Sequence, residues 1–266
     1  MKRSLLLVGL ALAAVDLLPL SLMLKQAFTP ESESFAWPPT WVPQHLTLDN
    51  FRNLATTIEL GSGLWLSVSV ALAVVASTLL LTLPPAWLAA RRAGVERPLD
   101  GLMIVTRLFP SIALAVPLAV LFVRLGLYNN PAGAGLWLAH TLGAIPFAFL
   151  IMRTAFRGVP LEIEEAARLD GASNFGVFWR VSLPLVRPAL AAAALLVFLV
   201  SWDEFTYALL LQVTNRSLPP LLYYLSAFGY PGLASAVAVI MLVPAVCIIL
   251  VLEPAWRSGV LAGAGR

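Results

Sequence analysis

Few residues within the apolar stretches of this chain could do acid–base chemistry. The best candidates are the adjacent carboxylates Asp203 and Glu204, which could act as a general acid and base, and the histidine His140. Adjacent side chains on a helix point about 100° apart, so the two carboxylates are poorly placed to share one site. We therefore predict no catalytic residue. One carboxylate is expected to face a path through the membrane or a partner helix, and the other to reach the outer interface.

Nucleotide and metal sites are not indicated either. The lysines are Lys2 and Lys25, and neither follows a glycine, which excludes a phosphate-binding loop of the GxxxxGKS type. His140 stands alone in its apolar stretch, and a lone histidine is more often a packing residue than a metal ligand. The single cysteine, Cys247, cannot form an intrachain disulfide. We expect no metal or cofactor on this chain, so any ATP must be bound by another chain.

The composition is that of a protein embedded in lipid. Hydrophobic residues make up 60% of the chain and charged residues 12%, with a mean hydropathy of +0.88, whereas about 25% of residues are charged in soluble proteins. The alternation of lipid-facing barrel strands is absent, so helices are the expected way to satisfy the backbone in lipid. The basic residues are not clustered on a soluble face and do not indicate nucleic-acid binding. We predict an all-α, polytopic membrane helix bundle, with one domain over residues 1–266.

Apolar runs of about 20 residues, long enough to cross roughly 30 Å of hydrocarbon, predict about six transmembrane helices. Pro110 and Pro117 are expected to kink or break the third one. The basic start of the chain also resembles a secretory signal, but the apolar character continues to Leu24, which favours a first helix. Between the first two spans, Asp49 is expected to cap a short interfacial helix at 48–54. The predicted spans are about 5–24, 64–90, 102–123, 135–152, 189–211 and 233–252.

The basic residues predict the orientation of the bundle. With the N-terminus inside, thirteen lysines and arginines lie on the inner side and four on the outer side. Arg107 is counted as inner, although it falls within the third span. An excess of positive charge marks the cytoplasmic side. Both termini and the polar segment 153–188, between the fourth and fifth spans, are therefore expected in the cytoplasm.

The polar segment 153–188 is predicted to form two short helices joined by a tight turn. The acidic run Glu162–Glu165 follows a proline, as in the first turns of a helix, where carboxylates complement the helix dipole. Asp170-Gly171 is expected to end this helix, with the glycine in the left-handed conformation. Ser173 or Asn174 is expected to cap the second helix, which carries aromatic residues. We interpret the segment as a docking knob with apolar anchors and a charged rim.

The spacing within this segment resembles the EAA motif of the permeases of binding-protein-dependent ABC transporters. The pattern EAA-x3-G-x9-I-x-LP is matched from Glu165 to Pro184, with Val181 in place of isoleucine. The resemblance implies that residues 153–188 form a coupling loop that docks on a cytoplasmic ATPase subunit. The coupling residues that it implies are Glu165, Ala166, Ala167, Asp170, Gly171, Ala172, Phe175, Leu183 and Pro184.

The resemblance covers nearly the whole chain and is most specific to the carbohydrate-uptake branch, especially its maltose-type second permease. The element at 202–205 resembles the W-N-E-F element of that branch, with Asp203 in place of asparagine. The tail from Arg257 to Ala264 resembles its glycine-rich ending, but Gly265-Arg266 replaces the final lysine and glycine. The candidates for the substrate path are Trp202, Asp203, Glu204 and Phe205.

The resemblance implies a multi-pass protein of the inner membrane that works with other chains. These are a second homologous permease, two ATPase subunits that bind ATP and Mg, and an external substrate-binding protein. A sugar or oligosaccharide is the expected cargo. The alternative is an importer of polyamine or another small solute, since EAA loops are widely shared. Polyamine-type permeases tend to have D-L-G-A at the turn, where this chain has Asp170-Gly171-Ala172.

Two readings from other classes are weaker. An intramembrane hydrolase would need a serine–histidine or paired-aspartate arrangement within the spans, and only His140 and the poorly placed Asp203 and Glu204 are available. A purely structural membrane anchor would need neither the prolines within the spans nor an acidic docking loop.

Overall fold

A computed structural model describes residues 2–56, 58–92 and 94–257, and all regular structure in these ranges is helical. The predicted all-α fold class is confirmed. A π-helical turn at Phe178–Ser182 lies between α9 and α10, and the glycine-rich tail from Ser258 onward lies outside the described ranges. The helices are α1 (Lys2–Ala27), α2 (Glu31–Ser34), α3 (Asp49–Thr56), α4 (Ile58–Arg91), α5 (Glu96–Leu108), α6 (Ser111–Leu125), α7 (Ala134–Arg157), α8 (Leu161–Leu169), α9 (Asn174–Val177), α10 (Leu183–Leu185), α11 (Arg187–Trp202), α12 (Thr206–Leu211), α13 (Leu218–Ala227) and α14 (Pro231–Arg257).

Four helical stretches are long and apolar enough to cross a membrane, and two bent pairs of helices raise the number to six, which agrees with the predicted number of about six. In the first pair, α5 and α6 meet at 90°. The break falls at Pro110, because a residue before proline avoids the helical conformation, and Phe109 has a ψ of 121°. Pro117 stays inside α6. The second pair joins the helices of 174–185 to α11 at 79°. The four single stretches are Leu7–Ala27, Leu60–Arg91, Ala134–Arg157 and Pro231–Ile248.

The predicted fifth span, about 189–211, is two helices in the structure. The first, α11, ends at Trp202, and α12 begins at Thr206. Between them, the carboxylate of Glu204 accepts hydrogen bonds from the first main-chain N–H groups of α12. A side chain thus replaces the main-chain carbonyls that would continue the helix.

The chain divides into two compact units. The first comprises the residues up to Leu64 together with Arg216–Cys247, and the second comprises Trp65–Asn215 and the residues from Ile248 onward. In the first unit, the buried Asn50 of α3 donates to the main-chain oxygens of Ala27 and Thr29, both at 3.0 Å. The short helix predicted at 48–54 is present, but Asp49 is its first residue rather than its cap.

The core of the second unit forms around α7. Small residues on α7, including Ala139, Ala144 and Ala148, are fully buried and let α11 approach closely. Polar side chains join α7 to α4, since the hydroxyls of Ser77 and Thr141 lie 2.9 Å apart. This unit therefore holds the coupling loop and the 202–205 element on one packed scaffold.

Candidate functional site

The coupling loop has the predicted helix–turn–helix form, and its turn is a Schellman motif. The N–H of Gly171 donates to the carbonyl of Arg168, and the N–H of Ala172 to that of Ala167, each at 3.0 Å. Gly171 has a φ of 89°, the left-handed conformation that was predicted. The positions of Ala167, Gly171 and Ala172 in the motif are thus explained by the end of one helix.

The second helix of the loop begins at one of the two residues that were predicted to cap it. The hydroxyl of Ser173 accepts a hydrogen bond from the N–H of Gly176 at 3.2 Å, so Ser173 and not Asn174 is the cap of α9. The helix then passes into the π-helical turn and α10, so the chain remains helical through Leu183-Pro184-Leu185 and bends at Val186. Pro184 therefore lies within this helical stretch, as the second residue of α10.

Most of the predicted coupling residues lie on the surface of the loop. Large apolar side chains are exposed beside them, with Leu169 exposed to 90%, Phe175 to 74% and Trp179 to 55%. The rings of Phe175 and Trp179 are parallel, with centroids 6.3 Å apart. An exposed apolar cluster of this kind marks an interaction surface. The predicted residues that are exposed are Glu165, Ala166, Asp170, Gly171 and Phe175, and those that are half-buried are Ala167, Ala172, Leu183 and Pro184.

A buried carboxylate fixes the loop to the scaffold. Glu164 is fully buried, and its Oε1 accepts hydrogen bonds from Arg91 at 2.9 Å, Trp87 at 3.1 Å and Ser182 at 2.6 Å. Arg91 also donates to the main-chain oxygen of Val159 at 3.0 Å. The carboxylate therefore joins α8 to α4 and to the π-helical turn.

The surroundings of Glu164 keep it ionised. Burial raises the pKa of this carboxyl, but the hydrogen bonds from Arg91, Ser182 and Trp87 outweigh burial and hold the pKa below its ordinary value of 4.5. A buried charge of this kind is tolerated because it is both paired and fully hydrogen-bonded. The sequence does not distinguish Glu164 from the exposed Glu162 and Glu165, since all three have the same residue type.

The 202–205 element places its two carboxylates in different surroundings. Asp203 is exposed, whereas the side chain of Glu204 turns inward and is exposed to only 17%. The oxygens of Glu204 accept from the N–H groups of Thr206, Tyr207 and Ala208 at 2.9–3.2 Å. The two carboxylates thus differ in their surroundings, although they lie between two helices and not on one, as the prediction assumed. In the same element, Trp202 is buried and Phe205 is exposed.

His140 of α7 lies against this element. Its Nδ1 is 2.8 Å from the hydroxyl of Ser201, and its Nε2 is 3.2 Å from Oε2 of Glu204. The hydrogen bond to Ser201 agrees with the interpretation of His140 as a packing residue. Serine, histidine and glutamate in this order resemble a hydrolytic triad, but Ser201 is buried within α11, so its hydroxyl is closed to a substrate carbonyl. Sequence reasoning missed Ser201, although it directly precedes the 202–205 element.

Around Glu204, an open groove of about 460 Å³ is lined by α5, α6, α7, α11 and α12. Arg107 lies at its edge, with its guanidinium carbon 3.0 Å from the centroid of the Phe147 ring. Among the described residues, no group of three or more His, Cys, Asp or Glu side chains is arranged to hold a metal ion.

Comparison with known proteins decides the family. The model of the family described as "Binding-protein-dependent transport system inner membrane component" matches residues 83–253. The chain belongs to this family. The match includes the coupling loop and the 202–205 element, and the permease is therefore a multi-pass inner-membrane subunit of a transport system, as the resemblance implied.

Relatives of the permease are similar over most of their length. It is 32% identical to the sulfoquinovosyl glycerol transport system permease protein SmoH of Agrobacterium fabrum, over 88% of this chain and 83% of that one. It is 30% identical to the trehalose transport system permease protein SugB of Mycobacterium tuberculosis, over 84% and 83%. These relatives are members of the carbohydrate-uptake branch that the sequence resembles.

The fold of the permease is also found in a solved structure. A chain of a bacterial ABC transporter involved in the import of the acidic polysaccharide alginate superposes with a TM-score of 0.75 at 19% identity, over 97% of this chain and 95% of that one. At this identity the likeness concerns the fold alone, and it extends over both units of the permease.

Proposed function

We propose that this chain is the permease subunit of an ATP-driven importer of a sugar or oligosaccharide. In this proposal, the whole chain acts as one permease domain beside a second, homologous permease. Two ATPase subunits carry ATP and Mg, and an external binding protein delivers the solute. The cargo class is supported by the names of the relatives, which are permeases for sulfoquinovosyl glycerol and trehalose.

The observation that carries the proposal is the coupling loop itself. Leu169, Phe175 and Trp179 are exposed on a turn that a buried carboxylate holds against α4. A rigid element with an exposed apolar cluster fits a partner protein better than lipid headgroups, because Glu162 and Glu165 beside it would be repelled by an anionic membrane surface. We propose that this surface docks in the ATPase subunit and passes its motion to the spans.

A first experiment tests the docking role in the assembled transporter in proteoliposomes. Replacement of Glu165→Lys, or of Gly171 by a bulky residue such as valine, is expected to abolish the ATP hydrolysis that loaded binding protein stimulates, while membrane insertion is retained. Glu31→Lys, the same charge change on an exposed residue of α2 outside the loop, is the matched control and is expected to be neutral. Coupled transport at the normal rate in both loop variants would refute the docking role.

A second experiment tests the orientation and the cargo. Asn174→Cys, made in a Cys247→Ser background, is expected to resist a membrane-impermeant thiol reagent added outside intact cells and to react in inside-out vesicles. Labelling from outside would overturn the cytoplasmic placement of the loop and the termini. Uptake of labelled putrescine in place of any sugar would overturn the cargo assignment while leaving the permease role intact.

A further inference from the structure

Two helix breaks meet at the groove around Glu204. One lies between α5 and α6, where the span bends by 90°, and the other lies between α11 and α12. Both breaks interrupt predicted membrane spans, and groove residues come from either side of each. Irregular backbone at membrane depth is tolerated where it is covered by protein or lines a water-filled cavity. In transporters, discontinuous helices of this kind form solute sites near the middle of the membrane.

Arg107 carries a charge that would be costly to expose to lipid. Its ring partner Phe147 lies near the middle of α7, a 24-residue spanning helix. The Arg107 side chain is exposed, and no carboxylate of the described residues lies within ion-pair distance of it. An arginine at this depth is costly against hydrocarbon, so the face that bears it is expected to meet water or protein.

The two charged side chains that line the groove, Glu204 and Arg107, differ in the partners that they already have. Both oxygens of Glu204 accept hydrogen bonds from main-chain N–H groups, and Nε2 of the His140 ring lies 3.2 Å from Oε2. His140 is itself more than nine-tenths buried, lines the groove, and has no hydrogen-bond partner at Nε2, which only approaches Glu204 at ion-pair distance. Arg107 therefore supplies a positive charge that has no ion-pair partner among the described residues, whereas the oxygens of Glu204 are already held by main-chain hydrogen bonds.

Aromatic rings complete the lining. Phe109, Phe147 and Tyr207 border the groove beside the polar side chains Ser111 and Arg107. Aromatic faces pack against the apolar faces of sugar rings, and guanidinium N–H groups donate to hydroxyl or acidic oxygens. A polyamine would instead meet the like charge of the unpaired Arg107 guanidinium.

We propose that this groove is a water-accessible solute site that takes neutral or anionic sugars and disfavours polyamines, with Arg107 as its charge-selecting residue. The inference rests on the proposed function, because it names residues of the permease that contact the cargo. It is independent of the coupling loop, which follows the C-terminal end of α7.

The test uses charged thiol reagents, so it needs no knowledge of the natural solute. Ser111→Cys is made in the Cys247→Ser background, and the assembled transporter is treated with an anionic sulfonatoethyl or a cationic trimethylammonium-ethyl methanethiosulfonate. Both reagents are expected to modify residue 111, the anionic one faster. Arg107→Gln is expected to lower the ratio of anionic to cationic rates by about fivefold to tenfold.

Matched controls separate the groove from its surroundings. Arg124→Gln removes the same charge from the far end of α6 and is expected to leave the ratio within about twofold of the parent. Val116→Cys, exposed on the opposite face of α6, is expected to react much more slowly than Ser111→Cys. Three results would each overturn the site. They are a residue 111 that is not modified in any nucleotide state, equal rates at residues 111 and 116, and a ratio that Arg107→Gln leaves unchanged.

The groove and the proposed function can be refuted separately. Uptake of a sugar by the parent, with a rate ratio unaffected by Arg107→Gln, would reject the groove and keep the proposed function. An intact ratio effect, with putrescine uptake and no sugar uptake, would reject the cargo and the selectivity that we assign to Arg107.

Discussion

Two glutamate side chains face inward, Glu164 in the coupling loop and Glu204 at the groove. They are of the same residue type but have different structural roles. Two donors of Glu164 come from an element far away in sequence, with Arg91 73 residues and Trp87 77 residues distant. The main-chain donors of Glu204 lie two to four residues away. The first glutamate therefore ties separate elements together, whereas the second interrupts a single helix.

The two glutamates show two ways in which this fold stabilises an inward-facing carboxylate. Glu164 forms a buried ion pair with Arg91, so removal of Glu164 leaves the buried Arg91 charge without this partner. Glu204 is stabilised mainly by helix N–H groups, which carry only partial charge and which water can partly replace. Loss of Glu164 is thus expected to cost more than loss of Glu204, and the variants below test that order.

The largest effect is expected for Glu164→Ala. Breaking a buried ion pair by removing one partner costs about 3–5 kcal/mol of folding free energy. Denaturant unfolding of the purified permease, followed by the fluorescence of the tryptophans, measures this loss. The matched control is Glu162→Ala on the same helix, which is exposed and expected to change stability by less than about 0.5 kcal/mol. Equal effects in the two variants would show that Glu164 is not an anchor.

Acid is expected to remove the same anchor. The pKa of Glu164 is lowered in the folded protein, so its stabilising contribution is complete above 4.5 and is lost as the pH falls further, through the folded value. Hydrogen exchange of the α8 amides is measured from pH 6 downward. Relative to the intrinsic exchange rate at each pH, the exchange of these amides is expected to accelerate in this range. In Glu164→Gln the additional acceleration is expected to be absent, and its persistence would assign the transition to another group.

Glu204→Gln is expected to have an intermediate effect. Loss of a capping carboxylate costs about 1–2 kcal/mol, and the amide can still accept one hydrogen bond. Thermal unfolding in detergent measures the shift, and Asp203→Asn, a neighbouring and exposed carboxylate, serves as the neutral control. If Glu204→Gln destabilised the protein as much as Glu164→Ala does, the contrast between local and long-range anchoring would not hold.

The smallest effect is expected for Gly171→Ala. The left-handed φ of 89° costs a side-chain-bearing residue about 1 kcal/mol, while no atom within 4 Å would meet the new methyl group. Gly176→Ala, at a helical position with ordinary contact distances, is expected to be neutral or slightly stabilising. Differential scanning fluorimetry of the two variants compares them, and destabilisation by Gly176→Ala alone would contradict the assigned turn.

The sequence by itself determined the local features of this permease. Composition predicted the helical membrane bundle, and Pro110 and Pro117 predicted a kink or break in the third span. Gly171 predicted the turn of the coupling loop, and Ser173 or Asn174 its second cap. Each of these depends on a few neighbouring residues, because backbone conformation, capping and proline geometry are decided within one or two helical turns. The spacing of the alanines and the glycine in the EAA motif is likewise a local feature, since these residues belong to one helix end.

The tertiary structure alone decided which residues are buried and which partners they meet. Glu162, Glu164 and Glu165 are indistinguishable as residue types, yet only Glu164 lies under Trp87 and Arg91. The contact of His140 with Ser201, and the place of Arg107 over Phe147, depend on how α5, α7 and α11 pack. Such pairings join residues tens of positions apart, and their free energy arises from desolvation and side-chain packing that no local pattern encodes.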